Sequence, residues 1–109
     1  MSRRKPGNLR ERVTIEAPER LPDGAGGAGV RWTPLATVWA DVASFKGSEP
    51  TVAERDEART PYRVVIRFRA DVKPEMRLMW RGKRLDINGA FDPDGERRWL
   101  AIDCEERAS

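Results

Sequence analysis

Arg63-Val64-Val65-Ile66-Arg67-Phe68-Arg69 and, a turn later, Leu78-Met79-Trp80-Arg81-Gly82-Lys83-Arg84-Leu85-Asp86-Ile87 decide how this chain folds. In the first run Val64, Ile66 and Phe68 fall on one side and arginines on the other, the period of a half-buried strand. The second run reads as a β-hairpin. Gly82-Lys83 suits a type II′ turn, which takes glycine first. That turn pairs Arg81 with Arg84, Trp80 with Leu85, Met79 with Asp86 and Leu78 with Ile87. One face then carries Met76, Leu78, Trp80, Leu85 and Ile87; the other carries Arg77, Arg81, Arg84, Asp86 and Asn88. A slip of one residue would scramble both faces, so the agreement supports the register.

Working outward, Arg12–Ala17 reads as a strand with Val13 and Ile15 facing in. Pro18–Gly29 is a Gly- and Pro-rich loop. Val30–Trp32 is a short strand ahead of Pro34. Leu35–Phe45 is a longer one, with Val38, Ala40 and Val42 on one face and Trp39 and Asp41 on the other. Asp92-Pro93-Asp94-Gly95 signals a turn, and Arg98–Glu105 closes the set with Leu100, Ile102 and Cys104 on one face. Between Ser44 and Thr60 the period-two pattern stops. Ser48 suits a helix cap, Glu49 and Pro50 its first turn, and Ala53–Ala58 has helix formers but no apolar stripe. The expectation is a mainly β chain: a small barrel or sandwich of five or six short antiparallel strands with one helix-bearing loop. Residues 1–8 are expected to be a flexible basic arm (Arg3, Arg4, Lys5). Residues 9–106 form the single domain, with 44–60 a mobile excursion, and 107–109 are a tail.

The chain has 109 residues, 36% of them charged, and a net charge of +3. That balance hides alternating blocks. Residues 1–12 carry five basic residues against one acidic, 13–62 five against eight, 63–85 eight against two, and 86–109 three against seven. Alternating blocks on a small body suit copies packed side by side, positive patch to negative patch. Cys104 is the only cysteine and there is no histidine. An intrachain disulfide and a Cys/His zinc site are therefore impossible, and Cys104 reads as a small apolar residue on a buried face. No apolar run approaches the ~20 residues of a membrane span. Ser2-Arg3-Arg4-Lys5 hints at a twin-arginine signal, but no apolar stretch follows it.

Gly24-Ala25-Gly26-Gly27-Ala28-Gly29 matches G-x-G-x-x-G literally. A dinucleotide site needs that motif between a strand and a helix start; Pro22 precedes it and Val30–Pro34 follows, so it reads as a flexible hairpin loop. Without histidine the commonest general base is missing. Ser2, Ser44, Ser48 and Ser109 have no triad context, and the pairs Asp92/Asp94 and Glu105/Glu106 read as solvated charges. No enzyme activity, cofactor or metal is expected. Nucleic-acid binding is the serious rival: Trp39, Trp80 and Trp99 near strand arginines could form a stacking platform. The hairpin register turns Trp80 inward, however. Trp39 and Trp99 lie opposite their strands' aliphatic residues, where exposed tryptophans more often mark protein interfaces.

Several segments in order resemble the head–tail joining family, the head-closure or stopper proteins of long-tailed phages and gene transfer agents. They are Leu9–Ile15, Asp23-Gly24 with the glycines before Trp32, Ala36–Val42, Arg63–Arg69, Met76–Ile87, and Asp92-Pro93 leading to Leu100–Cys104. Together they span roughly residues 9–106. Members often carry Thr-His before the Ile-Arg-x-Arg strand; here Pro61-Tyr62 follows Thr60. The resemblance implies a small β-barrel and a homo-oligomeric ring, a dodecamer, between the portal or adaptor ring and the tail or its terminator. Such a ring closes the DNA-filled head, passes double-stranded DNA through its channel and docks the tail. The subunit would be made in the host bacterial cytoplasm and end in the virion, with no membrane partner. Expected ring contacts are Arg67, Arg69, Arg77, Arg81, Arg84, Trp39 and Trp99. The expected channel plug is the 44–60 stretch, with Ser44, Lys46, Ser48, Glu49, Glu54, Arg55 and Thr60. An adaptor or tail terminator, or a free nucleic-acid-binding barrel, are the alternatives.

Overall fold

The computed structural model describes residues 9–22, 28–44 and 59–107. They form six strands: β1 (Glu11–Pro22), β2 (Ala28–Ser44), β3 (Arg59–Arg67), β4 (Arg77–Trp80), β5 (Lys83–Phe91) and β6 (Trp99–Arg107). All pairings are antiparallel and the sheet closes in the order β1-β2-β3-β6-β5-β4. Closure pairs most of the edges that an open sheet would expose. There is no helix among the described residues, and the expected helix-bearing stretch falls on residues 45–58, outside them.

The inward faces are those the alternation marks. Val13, Ile15, Ala40, Val64, Ile66, Leu78, Leu85, Ile87, Leu100, Ile102 and Cys104 form one buried cluster, with Val38, Val42 and Trp80 packed against it. Between β3 and β4 the chain crosses one end of the barrel, and Phe68, Val72 and Met76 pack on the same core there. Backbone bonds hold this crossing: Phe68 N donates to Arg98 O at 3.1 Å and Met76 N to Lys73 O at 3.0 Å.

Four local expectations are corrected. The hairpin turn is Arg81-Gly82, not Gly82-Lys83: φ is positive at both, 52° and 76°, the signature of a type I′ turn, whose twist matches that of the flanking strands. The pairs become Trp80 with Lys83, Met79 with Arg84, Leu78 with Leu85 and Arg77 with Asp86. The pairing moves by two residues, so both faces survive. Arg81 no longer opposes Arg84.

The second correction concerns Pro18–Gly29. Instead of a loop beginning at Pro18, β1 runs to Pro22, and β2 runs unbroken through Pro34 with a shift in register beside Glu16. Ala17–Pro22 and Ala28–Thr33 pair only with each other, a two-stranded ribbon beyond the barrel wall. Such a ribbon has two outer edges, so proline's missing N–H there breaks no ladder.

Thirdly, β3 starts at Arg59 rather than Arg63. Thr60 and Pro61 pair with Glu106 and Glu105, and Ser44 ends β2 opposite Tyr62. Ser44 and Thr60 are therefore strand residues, not loop residues. Asp92-Pro93-Asp94-Gly95 turns as expected, the Asp92 carboxylate accepting from Gly95 N at 3.0 Å and Arg97 N at 2.8 Å, and the last strand starts at Trp99 rather than Arg98.

Candidate functional site

The arginines proposed to reach a neighbour are, for the most part, already satisfied at home. Arg77 Nε donates to Glu16 Oε1 at 2.7 Å, and its guanidinium lies 4.2 Å from the Trp32 ring. Both partners of that pair are largely covered, 16% and 18% exposed. Arg81 forks onto Glu11 at 3.1 and 3.0 Å, and Trp80 Nε1 donates to the same carboxylate at 2.9 Å. Arg69 forks onto Asp71 at 3.0 and 2.9 Å; that hydrogen bonding holds the Asp71 carboxyl below its ordinary range. Arg84 reaches Asp86 only at 3.9 Å. Sequence blocks of opposite charge thus meet first within the subunit, because antiparallel pairing lays an acidic strand beside a basic one.

Arg67 is the exception. It is exposed, its guanidinium stacks 5.7 Å from the Trp99 ring, and among the described residues no carboxylate pairs with it. Trp39 is exposed as expected, at 52%, with Arg12 at 5.0 Å from its ring. Trp99 is not: it is 8% exposed. It packs with Val65, Ala101 and Leu9 in a second apolar cluster on the outer wall. Period-two reading assigns such residues to solvent; the signal for the cluster was the uninterrupted apolar character of Val64-Val65-Ile66 and Leu100-Ala101-Ile102. Lys46, Ser48, Glu49, Glu54 and Arg55, and the arm residues Arg3, Arg4 and Lys5, lie outside the described residues.

A gap in the wall lies between β2 and β3. These strands pair only from Asp41/Val65 to Ser44/Tyr62. Past that point β2 pairs with β1 alone and β3 with β6 alone. The gap is a cleft of about 680 Å³ lined by Leu9, Thr37, Val38, Trp39, Arg67, Phe68 and Arg69. Val38 and Phe68 pack against the core, so the inner side of the cleft is apolar. Among the described residues its lining includes no cysteine, lysine or carboxylate. Cys104 is buried elsewhere, and burial, reinforced by Asp103, Glu105 and Asp86, pushes its thiol up to about 12. Among the described residues no cluster of metal-ligating side chains occurs, and no helix is long and apolar enough to cross a membrane.

Against known proteins, the model of a family described as phage head completion protein matches residues 4–107. The chain is similar to a protein in the virion of a native gene transfer agent particle, at 25% identity and a TM-score of 0.72, over 92% of this chain and 96% of that one. It is also similar to a protein of Shigella flexneri 2a solved in solution, at 28% identity and a TM-score of 0.73, over 94% and 96% of the two chains. No curated protein matches it.

Proposed function

Because this chain belongs to the phage head completion protein family, we propose that it assembles as a ring between the portal or adaptor and the tail, where it closes the DNA-filled head and docks the tail. It is a structural component of the virion. The observation that carries the reading is the extent of the family match, residues 4–107, which spans every strand of the barrel. The likeness to a gene transfer agent virion protein over 92% of the chain supports it.

The geometry suits assembly better than chemistry. A closed barrel offers a rigid wall, and the β1–β2 ribbon extends beyond it with Val30 55% exposed. Because most of the barrel arginines are paired internally, contacts between subunits are proposed to rest on the ribbon, Trp39 and Arg67 rather than on the whole basic stripe. The stretch between Ser44 and Thr60 is proposed to reach the channel.

Particles made without this protein test the reading. DNA-filled heads that leak their contents and carry no tails are expected; normally tailed particles would overturn it. Trp39 beside Arg12 and Arg67 also keeps a nucleic-acid-binding barrel in play. A DNA shift assay at two salt concentrations separates the two, since phosphate-driven binding falls steeply with salt.

A further inference from the structure

The cleft between β2 and β3 offers more than the Trp39 and Arg67 contacts that the connector reading uses. Two strand edges face each other across it: Ala36–Ala40 on β2, paired only with β1, and Ile66-Arg67 on β3, paired only with β6. Unpaired strand edges invite another strand, whose main chain supplies the missing hydrogen bonds. The interior side of the cleft is apolar, from Val38 and Phe68. Its outer lip carries Trp39 and Arg67. A strand laid there would send alternate side chains inward to the apolar floor and outward to the lip.

We propose that this cleft takes one extended segment of a partner protein as an added strand, a segment alternating apolar with acidic residues. The charge argument sets the sign. Arg67 has no carboxylate partner among the described residues, whereas Arg69 is occupied by Asp71. An acidic side chain on the outer row therefore meets an unneutralised guanidinium at the lip. The chain's own first residues, with Arg3, Arg4 and Lys5, have the wrong sign for that lip. Nucleic acid fits less well, because sequence-tolerant stacking uses successive exposed aromatic faces and a cationic track. Here one aromatic is exposed at the cleft, and Arg12 already sits over it.

The proposal shares Trp39 and Arg67 with the connector reading but needs no ring, and it is tested on the isolated full-length chain. The probe is a fluorescein-labelled heptapeptide alternating valine with glutamate. Its controls replace glutamate by lysine, or place proline at the centre to remove a main-chain donor. The glutamate peptide is expected to bind at least about tenfold more tightly than either control. Amide chemical shifts should move at residues 36–40 and 66–69 and not around the ribbon. Arg67→Glu should weaken binding about tenfold and Arg67→Gln less, both with the unfolding midpoint of the parent chain; Trp39→Ala should weaken it several-fold. Equal binding of the lysine peptide, no binding at millimolar glutamate peptide, or shifts confined to other residues would overturn the proposal. So would displacement of the peptide by single-stranded oligothymidine, which would make the cleft a nucleic-acid groove. Shifts at residues 36–40 that grow with protein concentration alone would assign it to a second copy.

Discussion

Strand β3 is joined to its two neighbours very differently. Towards β6 it is paired along its whole length, from Arg59/Arg107 to Arg67/Trp99. Arg63 and Arg59 add side-chain bonds to Asp103 and Glu105 at 2.7 Å each, and Trp99 and Val65 cover the seam from outside. Towards β2 the pairing stops after Val65/Asp41, and the wall parts into the cleft. The contrast separates two jobs in one strand. In the closed seam, full pairing, ion pairs and apolar cover coincide. The open seam leaves main-chain groups and apolar side chains within reach of something else.

The sharpest way to break the comparison is to cut a cavity on each side. Ile102 on β6 and Ile66 on β3 are fully buried. Truncating either to alanine is expected to cost about 2–5 kcal/mol, since the lost transfer energy adds to an unfilled cavity. Val38 lines the cleft and is only partly buried, so Val38→Ala should cost under about 1.5 kcal/mol. Urea midpoints of the three variants check this. Equal losses at Ile102 and Val38 would mean that the open seam bears as much of the fold as the closed one.

Cys104 probes the closed seam through pH. It faces the core from β6, and its Sγ lies 3.8 Å from Tyr62 O on β3, to which the thiol donates. Burial raises its pKa from 9.0 to about 12. The folded state then holds the proton more tightly than the unfolded chain. The stabilisation is complete below pH 9 and is lost as pH rises towards 12, with a loss of a few kcal/mol at most, on the order of 1.4 per unit. Cys104→Ala should flatten that decline while costing some packing at neutral pH. A thiol that reacts rapidly with an alkylating reagent at pH 8 in the native protein would contradict the burial.

The core was legible because a strand's period is two and this core is one-sided. Val13, Ile15, Val64, Ile66, Leu78, Ile102 and Cys104 follow from alternation alone. The hairpin turn was misplaced because Gly82 suits both a II′ turn as its first residue and a I′ turn as its second; the choice rests on strand twist, which composition does not carry. Pro18 hid the ribbon, since proline argues against a central strand and the sequence does not say that this residue lies beyond the wall. Trp99 was misread because a barrel can grow a second apolar layer outside. The cleft depends on where two strands separate after Asp41 and Val65, a tertiary fact with no local signature.

Arg77 and Arg81 looked equivalent in the hairpin, and the structure separates them. Arg77 is a largely covered partner of Glu16 and stacks on Trp32. Arg77→Glu would set a second carboxylate against Glu16 and is expected to cost about 1.5–3 kcal/mol, the range for a lost charge-assisted bond. Arg81 is 64% exposed beside Glu11, so Arg81→Glu should cost under about 1 kcal/mol. An assembly defect in Arg81→Glu therefore reports on an interface, whereas the same defect in Arg77→Glu also reports on folding. Equal melting temperatures for the two variants would cancel that distinction.

The smallest effect belongs to Arg63. It spans the closed seam to Asp103 at 2.7 and 3.3 Å and lies 5.1 Å from the Phe91 ring. Both charged groups are about two-fifths exposed, at 40% and 43%, so water screens the pair. Coupling in a double-mutant cycle of Arg63→Gln and Asp103→Asn should come to about 0.2–1 kcal/mol. Raising salt to molar levels shortens the screening length to about 3 Å, the scale of the contact, and should shrink the coupling further. If it exceeds the loss from Ile102→Ala, the closed seam is held by its ion pairs and not by its apolar layers. The contrast between the two seams would then be electrostatic rather than one of packing.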